Sequence, residues 1–100
     1  MKSIKNKVLE YLKENKEYFR KKYGIKKIYL FGSVARGEDN ENSDIDIMVE
    51  FISDKFHTFD NYFDLKYKLE DKFKRKIDLA TKEMIREKLK KNIYKDIINA

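Results

Sequence analysis

Apolar residues recur along this chain with two different periods, and the changes between them mark out its elements. From residue 2 to residue 22, Ile4, Val8, Tyr11, Leu12 and Phe19 fall near one face of a helix, while Lys and Glu fill the other. Gly24 follows a Lys-rich last turn, which is a helix stop signal. Residues 26–31, KKIYLF, form a short apolar run that suits a strand buried on both faces. Residues 32–43 contain Gly32, Gly37, Asp39, Asn40, Asn42 and Ser43, and read as a loop with room for one helical turn after Ser33.

Residues 44–51, DIDIMVEF, alternate: Ile45, Ile47 and Val49 point one way, and Asp44, Asp46 and Met48 the other. The helical period returns over residues 59–73, with Tyr62, Leu65, Leu69 and Phe73 inward. A third strand is expected at residues 76–80, KIDLA, with Asp78 on the face opposite Ile77 and Leu79. Thr81 reads as the N-cap of a last helix whose apolar stripe is Met84, Ile85, Leu89, Ile93 and Ile97. The order predicts an α/β (α+β) fold: a small mixed sheet of three or more strands, with helices mainly on one face. Residues 1–100 are expected to form a single domain.

Composition narrows the chemistry. With no Cys, disulfides, thiolate zinc sites and Cys nucleophiles are excluded. No apolar run approaches the roughly 20 residues of a membrane span, and the charged amino-terminal stretch has no signal-peptide core. A soluble, cytoplasmic protein is expected. The net charge of +6 is unevenly placed: residues 1–27 carry +7, residues 28–54 carry −6 and residues 55–100 carry +5. An acidic centre between basic flanks fits a nucleic-acid binder, or a carboxylate metal site with lysines that attract a polyphosphate. It also fits a merely Lys/Glu-rich composition.

Two carboxylates two apart on a strand share a face, with Cβ atoms roughly 6 to 7 Å apart. Asp44 and Asp46 would therefore repel unless a cation lay between them, and magnesium favours such oxygen ligands. The alternative is the solvent-facing side of an edge strand, although Asp is a poor strand former. Gly32 and Ser33 follow directly on the first strand, where a turn rich in free N–H groups can receive phosphate. Arg36 could grip a phosphate with its planar fork, or simply be a surface charge. Asp78 repeats the pattern on the third strand. If that strand neighbours the second, three carboxylates converge, and such a trio can hold two divalent ions. Asp39, Asn40, Glu41 and Asn42 read as solvated loop, Ser43 as a local hydrogen-bonding residue, and His57 as a packing or surface residue.

GSVARG followed by SDIDIMVEF resembles the signature of the DNA polymerase beta superfamily of nucleotidyltransferases, and the small size resembles its minimal (MNT) branch. The resemblance extends over essentially the whole chain. It implies that Gly32 and Ser33 bind a triphosphate, that Asp44 and Asp46 bind Mg2+, and that Asp78 completes the site and helps activate an attacking hydroxyl. It further implies ATP as substrate and a HEPN-domain toxin as partner, the minimal enzyme being an antitoxin that transfers AMP to a tyrosine of its toxin. Two rivals stand beside this: a non-catalytic module that neutralises a partner by contact, and a nucleotidyltransferase acting on a small molecule or nucleic acid. Beyond charge, nothing marks a nucleic-acid interface. An open sheet face leaves room for a second copy, but no residue sets the oligomeric state.

Overall fold

The computed structural model describes residues 3–84 and 97–100. The amino-terminal amphipathic run folds as two helices rather than one, α1 (Ile4–Glu14) and α2 (Lys16–Tyr23). Ser3 caps α1, its Oγ accepting from the Asn6 N–H at 3.2 Å. The break falls at Asn15, whose backbone leaves the helical region at φ −109° and ψ 15°. Its side-chain amide donates to the Tyr11 carbonyl at 2.8 Å, the same oxygen that accepts its own backbone N–H at 3.1 Å, and so closes the end of α1. Gly24 ends α2 in the left-handed conformation, and the Phe56 ring lies where a Cβ would have to stand.

The chain then builds β1 (Ile25–Phe31), the short α3 (Gly32–Arg36), β2 (Ile45–Phe51), a 3-10 turn (Asp54–Phe56), α4 (Phe59–Phe73), β3 (Ile77–Thr81) and β4 (Ile98–Asn99). The sheet order is β3-β2-β1-β4. β1 runs antiparallel to β2 and β4, and β2 runs parallel to β3, with α4 as the crossover a parallel pair requires.

One face of the sheet carries the main core. Ile28 and Leu30, Ile45, Ile47 and Val49, and Ile77 and Leu79 pack against Val8, Leu12 and Phe19 of α1 and α2 and against Leu65 and Leu69 of α4. Removing this apolar surface from water is what ties the helices to the sheet. The other face has a smaller buried cluster of Phe31, Met48 and Ala80, with Tyr29 and Ile97 against it. Thr81 caps the following turn as expected, its Oγ1 accepting from Met84 N–H at 3.3 Å.

Two expectations change, and the sheet, expected with three or more strands, has four among the described residues. The single helix over residues 2–22 is two. A fourth strand is present, because Ile98 and Asn99 pair with Leu30 and Tyr29. Ile97 belongs to the cluster on the second face beside β4, and Met84 is exposed rather than inward. Ile85, Leu89 and Ile93 of the expected last stripe, together with Lys88–Lys91 and Tyr94, lie outside the described residues. Among the described residues, no helix is long and apolar enough to cross a membrane.

Candidate active site

The acidic residues meet at the end of the sheet where β1 finishes and β2 and β3 begin. Asp46 stands opposite Phe31 on one side and opposite Asp78 on the other. The alternation of β2 buries Ile45, Ile47 and Val49 in the main core, which turns Asp46 to the second face. Asp44 lies just before β2 rather than within it, and buried Ile45 separates the two acids. Asp78 is the exposed position of a strand otherwise buried. The parallel pairing of β2 and β3 is thus what joins the third acid to the first two.

The electrostatics follow from this crowding. Asp46 is pushed up to about 6 by partial burial, then by the charge and hydrogen bond of the Asp78 carboxyl, then by the charge of Asp44; Arg36 pulls it part of the way back. An Asp held at about 6 in the fold and at 3.8 in its ordinary state contributes stability that is complete below pH 3.8 and lost as pH rises through 6. We therefore expect metal-free Asp46→Asn protein to melt above the wild type at pH 7, with the gap closing by pH 4; melts across that range check it.

Gly32 sits directly beneath this carboxylate. Its φ is +76°, and a Cβ on it would lie 2.0 Å from Asp46 Oδ2. The glycine expected to let a ligand approach the backbone thus also makes room for the acid. Ser33 occupies the first turn of α3, whose Val34 and Ala35 are buried and fix its orientation. α3 ends at Gly37, again left-handed. Arg36 is on the same turn; its Nε donates to Glu38 at 2.8 Å while its charge reaches Asp46.

The loop into Asp44 is better ordered than its composition foretold. Ser43 Oγ accepts from Asn40 N–H at 2.9 Å, as its position implied. Asp39, expected to be solvated, is instead largely buried in an ion pair with Arg75 at 3.3 Å. No local sequence signal links these two residues, which lie in separate connections and meet only in the folded chain. His57 stacks on Phe51, in keeping with a packing role.

Among the described residues, no three acids or histidines close into a finished metal cage. Magnesium does not demand one, since it usually keeps waters and phosphate oxygens beside one or two carboxylates. Hard oxygen donors in mutual repulsion, one of them half-buried, suit such a cation in chemistry and charge.

Comparison with known proteins identifies the family. The family model for polymerase beta nucleotidyltransferases matches residues 13–99. A relative from Methanocaldococcus jannaschii, named as a protein adenylyltransferase, is 45% identical over 92 residues, covering 91% of this chain and 92% of its own. A crystal structure of a toxin–antitoxin pair with AMP-PNP superposes with a TM-score of 0.67 at 25% identity, over 95% of this chain and 70% of that one. The MNT antitoxin in complex with the tri-AMPylated HEPN toxin of Shewanella oneidensis shares the fold, with a TM-score of 0.59 at 22% identity, over 95% of this chain and 66% of that one. With the family model covering nearly all of the chain and a relative aligned along most of both lengths, this chain belongs to the polymerase beta nucleotidyltransferase family, beside its protein adenylyltransferases.

Proposed function

We propose that this chain is a single minimal domain that transfers AMP from ATP to a tyrosine hydroxyl of a HEPN-domain toxin, in a magnesium-dependent reaction, and so acts as that toxin's antitoxin. The observation that carries the reading is Asp46 paired with Asp78 across β2 and β3, with the Asp44 charge felt at Asp46, against Gly32 at the head of α3. The named relative and the nucleotide-bound toxin–antitoxin neighbour support protein as acceptor and ATP as donor.

In this reading Gly32, Ser33 and Arg36 hold the triphosphate, and Asp44, Asp46 and Asp78 would hold the magnesium. Bound magnesium would supply charge neutralisation on the phosphate oxygens. Asp78, exposed beside half-buried Asp46, is the acid an incoming hydroxyl can reach. It accepts the hydroxyl proton as the oxygen attacks the α-phosphorus. The bond to the pyrophosphate breaks in line, leaving AMP esterified to the tyrosine. Orientation of the two reactants does most of the work.

The test is incubation with α-labelled ATP and magnesium, with and without a HEPN partner encoded beside this chain. Label on a partner tyrosine, absent when the metal is chelated, is the expected result. An unlabelled partner in a stable complex would instead favour neutralisation by contact.

A further inference from the structure

Arg75 stands in the connection between α4 and β3, and it grips the loop that leads into Asp44. Its guanidinium spans two acceptors: Nη1 to Asp39 Oδ2 at 3.3 Å and Nη2 to the Asn40 carbonyl at 2.8 Å. Both ion-pair side chains are largely shielded, at 18% and 15% exposure, whereas the surface pair Lys74–Asp71 stands at 77% and 84%. A shielded, forked pair holds a geometry that a surface pair does not.

The gripped residue is the knot of the loop. The Asn40 carbonyl also accepts from Ser43 N–H at 3.1 Å, its N–H donates to Ser43 Oγ, and its side-chain oxygen accepts from Asn42 N–H at 2.8 Å. On the far side of Asp44, Ile45 N–H donates to the carbonyl of Lys76, the residue next to Arg75, at 3.0 Å. The Arg75–Lys76 pair therefore holds the chain on both sides of Asp44.

We propose that Arg75 is a positioning residue: by fastening Asp39 and Asn40 it sets where Asp44 meets the cation. The proposal rests on the reading of Asp44 as a metal ligand given above. A lysine at this position could reach one acceptor but not span both.

The test compares wild type with Arg75→Gln, Arg75→Lys and Asp39→Asn, using Mn2+ binding followed by electron paramagnetic resonance with AMP-PNP present. Amide hydrogen exchange and melting are measured on the same samples. Arg75→Gln should weaken Mn2+ binding by about tenfold, the low end of what loss of a ligand's own partner costs, and speed exchange over residues 38–45. Arg75→Lys should restore part of both. Asp39→Asn, which keeps the contact to Asn40, covers the case in which Arg75→Gln fails to fold, and should give a smaller loss in the same direction. Unchanged Mn2+ binding in a folded Arg75→Gln or Asp39→Asn protein, whatever its melting temperature, would overturn the proposal. Failure of the wild type itself to bind Mn2+, with the loop still loosening in Arg75→Gln, would instead remove the metal-ligand reading on which it stands.

Discussion

Replacing Asp46 with Asn should lower AMP transfer by about a thousandfold or more while leaving the protein folded. The substitution keeps the shape of the side chain and its place opposite Phe31 and Asp78. It removes the charge that the proposed cation needs, and with it the burial cost and the repulsion from Asp78 and Asp44 that together push this carboxyl up to about 6. Loss of transfer with an unchanged or raised melting temperature separates a chemical role from a structural one. Initial rates of label transfer, beside melts of the same samples, are the measurement. A variant transferring at the wild-type rate would end the three-acid account of the site.

Gly32→Ala is expected to lower transfer by about a hundredfold, the scale on which a displacement of about 1 Å acts. Two effects combine at this position. An alanine at φ +76° is strained by about 1–2 kcal/mol. Its methyl would also stand 2.0 Å from Asp46 Oδ2, so the carboxylate must swing away from Asp78 or the head of α3 must lift. Gly37 separates the two effects, because it shares the left-handed backbone at φ +74° but has nothing within 4 Å of its missing Cβ. Gly37→Ala should therefore show the strain in its melting temperature and keep its rate within a few-fold of wild type. Equal rate losses in the two variants would mean that strain alone is responsible.

Period and spacing were enough for the elements that carry the acids. α4 occupies the range its helical period marks, and β1, β2 and β3 fall within a residue of their expected bounds. The strict alternation around Asp46 and Asp78 already fixed their face, since the opposite face had to be the core. The break at Asn15 was hidden, because both helices keep their apolar residues on one side and the departure is confined to the backbone of that one residue. β4 was hidden for another reason: two residues carry no period, and Ile97 satisfied a helical stripe as readily as the cluster it joins. The Arg75–Asp39 pair was out of reach altogether, because a contact between two connections leaves no pattern in either.

The unequal depth of the sheet's seams sets an order in which it can open. Phe31 meets Asp46 across a short connection, and Asp46 meets Asp78 across one helix, whereas Leu30 meets Ile98 only after most of the chain has been laid down. Each doubling of the closed loop adds about 0.6 kcal/mol of entropy to be overcome, and among the described residues β4 answers with two paired positions, the Ala100 N–H to Ile28 carbonyl bond and the packing of Ile98 and Ala100 on the core. β4 is thus the last strand to join and the first to fray, a low-energy opening of the kind seen as early amide exchange. The acids sit across β2 and β3 and next to the end of β1, inside the part of the sheet that stays shut while this edge breathes. An opening at that edge therefore leaves Asp46 paired with Phe31 and Asp78, and touches the acids' face only through Ile97 on the Phe31, Met48 and Ala80 cluster.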